Sequence, residues 1–516
     1  MIAGSQTRWV VAALAVTVAS IAGGHAEMAP IKGLTNAQGL ARAYDLVHDA
    51  DFAAADAELT RACGPAPSEA CAVVRSASIW WQVYLDLDSR SLDQTFLTDA
   101  GKTINRCEQW TAREPGRAEA WFYLGAAYAA RVQYYGLRGE YLTAARDGKR
   151  IKNALEKALS LDSQIQDANF GIGMYEYYAD TLPAALRFLR GLLLMPGGDK
   201  VKGLRQMIQT RNLGVLLRSE ATYQLHFVYI WYENDPGAAL ALLEELRARF
   251  PRNPMFLLNV AQVHEDYRGD RLSALAAYRS LVDAARSGNF RESELSETWG
   301  RLGAADQLDA LAESDRAIDQ LQVVVDRRPA KPYGAVARAH LGLGRAYDHM
   351  GQREKAVAEF RAAQASAPPD DPRKVRKAAL DGLSRTPDAR TTEAYRLSLE
   401  GWRDFERGAV SEAAQHLDRA IELRPDDGVH RFRRGRVLEA QGDRARALVD
   451  FERALQARPA PPPPFVGGSF AGCGRLYEAA GDRPRAISNY TYATRVHGAD
   501  ASTIDAATQA LARLQR

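Results

Sequence analysis

Two stretches near the C-terminus decide the fold: GWRDFERGAVSEAAQHLDRAIELRP (residues 401–425) and GRVLEAQGDRARALVDFERALQARP (residues 435–459). Small, apolar and proline positions recur between them at a single offset of 34 residues. Within each stretch the apolar residues follow the three-and-four spacing of amphipathic helices, and a glycine interrupts this spacing midway. Glycine readily adopts the left-handed conformation that ends a helix, and the closing proline cannot continue the next one. Each stretch therefore predicts a pair of antiparallel helices.

The same pattern occurs twice more in the last third of the chain. One copy runs from Leu343 to Pro368, and another begins at Gly474, displaced by the proline-rich insert 459–464. This order of residues resembles the tetratricopeptide repeat, which has small residues where its two helices cross, a large residue beside them and a closing proline. The resemblance implies an all-α fold, a right-handed α-solenoid or superhelix of stacked antiparallel helix pairs. One pair cannot bury its apolar face alone, so the pairs must stack.

Upstream of residue 331 the pattern is weaker but continues, for example around Trp121 and Ala239. It predicts nine to eleven helix pairs in the whole chain. Prolines and aspartates interrupt the pattern after Pro368, which predicts an irregular linker there. We divide the chain into a leader (1–26), a divergent helical-hairpin region (27–330), one tetratricopeptide-type repeat (331–368), a linker (369–393) and a C-terminal repeat array (394–516).

The composition excludes two classes of protein. The chain of 516 residues has 67 basic and 64 acidic residues, and 46% of its residues are hydrophobic. A chain with this balance is able to bury a core, which excludes general disorder. After the N-terminus no stretch reaches the ~20 consecutive apolar residues of a spanning helix, which excludes a multi-span membrane protein.

The first 26 residues have the order of a secretory signal peptide. Arg8 precedes an apolar run and a small-residue stretch, so cleavage is expected after Ala26. The mature protein is then periplasmic or secreted, and soluble, with an uncleaved anchor as the alternative. In an oxidising compartment Cys63 and Cys71 would be able to form a disulfide, with two free thiols as the alternative.

Residues 120–260 are similar to part of the inclusion-body-clearance family, which comprises tetratricopeptide-repeat proteins of the mitochondrial outer membrane. The similarity rests on a segment rich in glycine and tyrosine that includes Gly171, Gly173 and Tyr175. A Gly-x-Gly spacing beside tyrosines predicts either a close helix crossing or an aromatic binding surface. The apolar stretch Leu186–Met195 leaves a membrane-surface helix as a further alternative.

The repeat resemblance also places candidate partner-binding residues. In tetratricopeptide repeats the first helix of each pair lines the concave groove, and its ninth and twelfth positions are among those that contact ligands. Three repeats here have arginine followed three residues later by an acid, and one has two aromatic residues. One interpretation is a groove that binds the carboxylates and an apolar side chain of a ligand. The alternative is that the arginine and the acid form an ion pair within each helix and only keep that helix face solvated. These residues are Arg345 and Asp348, Trp402 and Phe405, Arg436 and Glu439, and Arg475 and Glu478.

The sequence contains no recognisable catalytic, cofactor-binding or metal-binding motif. Gly101-Lys102-Thr103 ends like a phosphate-binding loop, but Phe96 replaces the required first glycine. The nine histidines have no metal-ligand spacing. Acids are interspersed around the basic cluster 373–377, so nucleic acid is not an expected partner.

We therefore expect an exported, non-catalytic scaffold or adaptor that binds a protein or peptide in its concave groove, without a cofactor. One alternative is an envelope-associated structural protein that acts at the outer membrane through peripheral contact. The other is an enzyme with a site in the tyrosine-rich N-terminal half. Such a site needs at least a pocket that contains a pair of titratable residues with shifted pKa values. The candidate tyrosines are Tyr134, Tyr135, Tyr175 and Tyr178.

Overall fold

A computed structural model describes residues 33–181 and 197–516, and within these ranges the chain forms helices and no strand. The 24 described helices form eleven antiparallel pairs and two single helices. The all-α class is therefore confirmed, with the pair count at the upper end of the predicted range. The predicted signal peptide with its cleavage site after Ala26, and the stretch Leu186–Met195, lie outside the described residues.

The helices follow one another along the chain with short connections, and α17 and α24 are the two single ones. In chain order they are α1 (Ala37–His48), α2 (Phe52–Ala62), α3 (Ser68–Leu85), α4 (Asp93–Arg113), α5 (Ala118–Leu137), α6 (Tyr141–Leu161), α7 (Ala168–Thr181), α8 (Lys200–Leu213), α9 (Arg218–Trp231), α10 (Pro236–Arg249), α11 (Pro254–Gln262, extended by the π-helical turn Val263–Tyr267), α12 (Arg271–Arg286), α13 (Ser293–Ala310), α14 (Ser314–Arg327), α15 (Ala335–His349), α16 (Arg353–Ser366), α17 (Val375–Ser384), α18 (Ala389–Glu406), α19 (Val410–Leu423), α20 (Gly428–Ala440), α21 (Arg444–Gln456), α22 (Pro463–Ala479), α23 (Arg483–Arg495) and α24 (Ala501–Leu514).

The small residues of the repeat mark places where two helices cross closely. A Cβ atom added to Gly435 would lie 2.8 Å from the ring of Phe451 in the second helix of the pair, and one added to Gly474 would lie 2.7 Å from the ring of Tyr490. The ring therefore fills the space that the missing side chain leaves. Between the two helices Gly442 has φ +82°, the left-handed conformation that the sequence predicted for the turn.

The predicted irregular linker, 369–393, contains a ten-residue helix and is not irregular throughout. This helix, α17, buries Val375 and Ala379, which are four residues apart and share one face. Its Gly382 lies so close to the ring of Phe360 that an added Cβ would be 2.6 Å away. The helix thus covers the exposed side of the pair α15–α16, which explains why a short segment flanked by prolines is folded.

The N-terminal helix pairs close on themselves through contacts between residues far apart in sequence. The hydroxyl of Tyr44 in α1 donates to Glu220 in α9 at 2.9 Å, and the ring of Trp81 in α3 lies 5.2 Å from that of Tyr223 in α9. The largest core of buried residues extends from Leu40 to Leu343, a smaller cluster joins α7, α8, α9 and α10, and further separate clusters lie between Ala337 and Ala510. The inner face of the N-terminal part is therefore filled with aromatic side chains.

A disulfide joins Cys63 and Cys71 across the loop between α2 and α3, with their Cα atoms 6.0 Å apart. The other two cysteines, Cys107 and Cys473, are buried thiols. Burial raises the pKa of the Cys107 thiol to about 12, so it stays protonated at neutral pH. The disulfide holds the second helix pair against the first.

Candidate functional site: the concave face of the C-terminal repeats

The candidate groove residues lie on α15, α18, α20 and α22, the first helices of successive pairs. On α18, α20 and α22 the ninth repeat position holds Trp402, Arg436 and Arg475. Glu439 on α20 reaches Arg475 on α22, which shows that these positions are neighbours across adjacent repeats. The structure therefore brings the predicted residues of the C-terminal array together on one face.

Ion pairs on this face connect one repeat to the next. The Arg475 guanidinium donates to both carboxylate oxygens of Glu439, from Nε at 2.7 Å and from Nη2 at 2.8 Å. Within α20 the Nε atom of Arg436 lies 3.8 Å from Glu439, outside hydrogen-bond distance. The expected pairing of each arginine with the acid three residues later is therefore secondary, and the bidentate contact forms between helices.

The same arrangement continues one repeat further. Glu478 on α22 accepts from Nη2 of Arg513 on α24 at 2.7 Å and from the hydroxyl of Tyr490 at 2.9 Å. The hydrogen bond from Arg513 is the largest of the effects that lower the pKa of Glu478. The sequence analysis did not identify Arg513, which lies 38 residues after Arg475, four more than the 34-residue period.

The series of ion pairs is interrupted at Arg436. The twelfth position of the preceding repeat holds Phe405, so no acid on α18 occupies the place that Glu439 takes beside Arg475. The Arg436 side chain remains 42% exposed. Desolvation, followed by the charge of the neighbouring Arg475, lowers its pKa. Among the described residues the carboxylate within 4 Å of Arg436 is that of Glu439, at 3.8 Å, and Arg475 already binds this carboxylate in a bidentate contact.

An aromatic cluster lies next to Arg436. The half-buried Trp402 ring is 5.4 Å from the ring of Phe405 and 6.4 Å from that of Phe432, measured between centroids. The guanidinium of Arg433 lies over the Trp402 ring at 5.9 Å. This cluster presents an apolar surface beside an incompletely paired cation.

Arg433, which the sequence analysis did not single out, adds a buried positive charge beneath this cluster. It donates to Ser398 Oγ at 3.1 Å and to the carbonyl of Ala312 at 2.7 Å, and its Nε has no hydrogen-bond partner among the described residues. No described carboxylate lies within 4 Å of it. Burial lowers its pKa, since desolvation disfavours the charged form. The charges of Glu313 and Asp427 act on Arg433 in the opposite direction, whereas that of Arg403 adds to the effect of burial.

Asp348, predicted as a groove residue, belongs to the packing of the array instead. Both of its carboxylate oxygens accept from Nη1 of Arg353 at 2.9 Å, and the residue is buried. Arg353 also donates to the carbonyls of Gly382 and Leu383, which ties α16 to α17. Arg353 thus already occupies the carboxylate of Asp348, and a binding role for Asp348 stays a prediction. Arg345 is exposed and lies close to the acids of α13.

The tyrosines of the alternative enzyme hypothesis are engaged in packing. The hydroxyl of Tyr134 donates to Asp93 at 2.9 Å, and its ring meets that of Tyr135 at 5.5 Å. Lys152 Nζ lies 4.7 Å from the Tyr175 ring, and Tyr178 packs on Tyr177 and Tyr232. Burial raises the pKa of Tyr178, which keeps the phenol neutral. Burial, followed by the hydrogen bond to Asp93, also raises the pKa of Tyr134.

Between residues 33 and 181 and between 197 and 516, no group of three or more His, Cys, Asp and Glu side chains is arranged to hold a metal ion. In the same ranges no helix combines the length and hydrophobicity needed to cross a membrane.

Three parts of the chain match families described as tetratricopeptide repeat: residues 230–289 and 399–462 match one, and residues 337–370 match another. The chain therefore contains tetratricopeptide repeats, as the 34-residue spacing predicted. A TPR repeat-containing protein of Methanocaldococcus jannaschii is 35% identical over 71 residues, which is 14% of this chain. The match spans 21% of that relative, so this chain covers about a fifth of its length.

Solved structures similar to this chain include a tetratricopeptide repeat protein from Parabacteroides merdae, with a TM-score of 0.27 and 16% identity over 58% of this chain and 99% of that one. Another is the TPR2AB domain of yeast Sti1 in a complex with pHSP90, with a TM-score of 0.22 and 12% identity over 58% of this chain and 99% of that one. The all-helical architecture is established by the helices of this chain, independently of these similarities.

Proposed function

Since this chain carries tetratricopeptide repeats, whose fold is typical of protein-interaction scaffolds, we propose that it is a non-catalytic adaptor that binds a peptide segment of another protein. The site is the concave face formed by Trp402, Phe405 and Arg436. The ligand is an extended or helical segment with a carboxylate beside a large apolar side chain. The single observation that carries this proposal is the interruption of the interhelical ion pairs at Arg436.

The charges around the site favour an acidic ligand. Glu439 on α20 and Glu478 on α22 are held by Arg475 on α22 and Arg513 on α24, so their negative charge is largely compensated. Arg436 lies 3.8 Å from the carboxylate that Arg475 binds, and the buried Arg433 has no carboxylate within 4 Å among the described residues. A ligand carboxylate at Arg436 would gain a charge-assisted hydrogen bond, which is bidentate when the geometry of the guanidinium fork permits.

The aromatic cluster supplies the apolar part of the same site. Trp402 is half-buried, so its exposed face is held in position by Phe405 and Phe432 before a ligand arrives. A rigid tryptophan at the centre of a contact surface is typical of residues that dominate binding energy. Little conformational entropy remains to be lost when an apolar side chain packs on it.

A peptide-display selection on the folded protein tests this proposal. We expect the selected peptides to share an acidic residue next to an aromatic or large aliphatic one. Trp402→Ala and Arg436→Glu should each weaken a selected peptide by at least about tenfold, since truncation of such residues costs about 2 kcal/mol.

Two matched variants control this experiment. Tyr492→Ala removes an aromatic ring that is 52% exposed on a second helix, and Arg453→Glu reverses an exposed charge on another, so both should bind as the native protein does. Selected peptides without an acidic residue, or equal binding by all four variants, would refute the site. Urea unfolding of each variant separates loss of binding from loss of structure.

We further propose that the protein is exported and that this interaction takes place outside the cytoplasm. The signal-like order of residues 1–26 supports this, together with the disulfide between Cys63 and Cys71, since disulfides persist in oxidising compartments. N-terminal sequencing of the protein from the periplasmic fraction should begin at Glu27. A chain that retains residues 1–26 and stays in the cytoplasmic fraction contradicts this proposal.

A further inference from the structure

Arg433 on α20 is a buried cation beneath the peptide site that lacks a counter-ion. The residue is 1% exposed, and within the part of the chain that the structure describes no carboxylate lies within 4 Å of its guanidinium. Glu313 and Asp427, whose charges act on Arg433, are engaged elsewhere. Glu313 binds Arg316 at 2.6 Å, and Asp427 accepts from two backbone amides at the start of α20.

A buried charge of this kind costs folding free energy rather than supplying it. Burial removes the guanidinium from water, and only an opposite charge or a full set of hydrogen bonds offsets that loss. The Nε atom of Arg433 has no hydrogen-bond partner among the described residues. The groups that the guanidinium does contact therefore indicate a role other than stability.

The guanidinium of Arg433 connects three parts of the chain. Its Nη1 donates to Ser398 Oγ on α18 at 3.1 Å, and its Nη2 donates at 2.7 Å to the carbonyl of Ala312, between α13 and α14. The Trp402 ring of α18 lies over the same guanidinium, with the ring centroid 5.9 Å from Cζ. One side chain thus contacts the aromatic ring of the peptide site and a turn that lies 121 residues earlier in the chain.

That turn, residues 311–315, is held against α18 by further contacts, and we call it the α13–α14 turn. The hydroxyl groups of Ser314 and Tyr395 are 2.6 Å apart. Arg403, the residue after Trp402, donates to both carboxylate oxygens of Asp315 at 2.7 Å. The turn belongs to the N-terminal part of the chain, yet it is connected through two arginines to the segment that carries Trp402.

This arrangement suits an arginine in particular. A guanidinium is planar, so its face lies against an aromatic ring while its N–H groups donate sideways to other acceptors. The Trp402 ring also lies near the rings of Phe405 and Phe432, at 5.4 and 6.4 Å. Phenylalanine has no hydrogen-bonding side chain, so of these three neighbours only Arg433 ties the ring to the backbone of the α13–α14 turn.

We propose that Arg433 is a positioning residue of the groove. It holds the indole of Trp402 in register with the α13–α14 turn, so that the N-terminal part of the chain completes the peptide site of the C-terminal repeats. The inference rests on the proposed function, in which Trp402 binds the apolar side chain of the ligand. It deepens that function, because the site then depends on a turn about 90 residues before Trp402.

Fluorine NMR of the full chain labelled with 5-fluorotryptophan tests this proposal without any ligand. The resonance of Trp402 is the one that Trp402→Phe removes. Arg433→Met keeps an unbranched side chain of similar length but removes the charge and the donors, so it should shift this resonance. It should also weaken a fluorescein-labelled peptide from the display selection by at least about tenfold. Its urea midpoint should stay near that of the native protein, because the buried charge has no counter-ion to lose.

Arg431→Met is the matched control. Arg431 is a second buried arginine of α20, but it donates to Asp450 and to the carbonyl of Pro425, and it contacts neither Trp402 nor the α13–α14 turn in the described structure. Its loss should lower the urea midpoint while the Trp402 resonance and the peptide affinity stay as in the native protein. A role of Arg433 in stability alone would give the two variants the same behaviour.

Ser398→Ala is a milder second variant, since it removes the acceptor of Nη1 and leaves the arginine. It should shift the Trp402 resonance and weaken the peptide about threefold, the effect of one hydrogen bond. If Arg433→Met does not unfold cooperatively, Ser398→Ala decides by the same two measurements.

Three results would overturn the positioning role: an unchanged Trp402 resonance in both variants, an equal shift in Arg431→Met, or native peptide affinity in Arg433→Met when Trp402→Ala binds weakly. Native affinity in Trp402→Ala is a separate outcome. It would refute the proposed function itself, and with it the role of Arg433 in binding, whether or not the resonance shifts.

Discussion

Gly203→Ala is expected to destabilise the crossing between α7 and α8 by about 3 kcal/mol, near the upper end of what overpacking costs. A Cβ atom at this position would lie 2.6 Å from the carbonyl oxygen of Gly173 and 2.6 Å from the amide nitrogen of Tyr177. Both contacts are with backbone atoms, so no side-chain rotation relieves the clash and the two helices must separate. Hydrogen exchange of the α7 and α8 amides should accelerate, and the urea midpoint should fall.

Gly148→Ala is the matched control for this prediction. Gly148 also lies inside a helix, α6, but an added Cβ would meet no other atom within 4 Å. Alanine should therefore stabilise the helix by about 0.5–1 kcal/mol, because glycine costs that much in a helix interior. If Gly203→Ala were as stable as Gly148→Ala, the two helices would not approach as closely as described.

Asp450→Asn is expected to cost about 3–5 kcal/mol, the usual effect of removing one partner from a buried ion pair. The Asp450 side chain is fully buried and accepts from Arg431 at 2.8 Å and from Arg434 at 2.6 and 2.9 Å. Asparagine has nearly the same shape but no charge, so it leaves two arginines without their buried counter-ion. The C-terminal repeats should then unfold at a lower urea concentration than the N-terminal part.

Asp418→Asn provides the comparison, because Asp418 binds the same arginine from the outside. It accepts from Nη1 of Arg434 at 2.8 Å, but its side chain is 48% exposed. Water screens such a pair, so its removal should cost less than about 1 kcal/mol. Equal losses for the two variants would show that burial of Asp450 does not determine its contribution.

The repeat itself could be predicted from sequence because its signal is local. Gly435 and Gly442 recur at fixed spacing, and each has one physical task, a close helix crossing or a left-handed turn. The glycine-rich segment around Gly173 predicts either a close crossing of two helices or an aromatic binding surface. The contact between Gly173 and Gly203 supports the first alternative.

The partners of charged groove residues could not be predicted in the same way. Spacing leaves open whether Arg436 pairs with Glu439, three residues later on the same helix, or binds a ligand. The closer partner of Glu439 is Arg475, which lies 36 residues away and approaches only when adjacent repeats stack. Similarly Asp348 is held by Arg353 of the next helix, so its position in the repeat gave no information about its availability.

The sequence by itself determined the helix pairs, their crossing glycines and the order of aromatic and charged residues along each first helix. These features depend on contacts within one repeat, and the same contacts recur every 34 residues. The tertiary structure decided which charges are left unpaired and which aromatic faces stay exposed. Arg436 has no acid from α18 beside it because Phe405 takes that position. Trp231 is exposed because the aromatic residues along α9 extend beyond the core that covers Tyr223. Both outcomes depend on how helices that are distant in sequence stack. The stacking determines whether a charged side chain lies beside an opposite charge and whether an aromatic ring is covered by another helix.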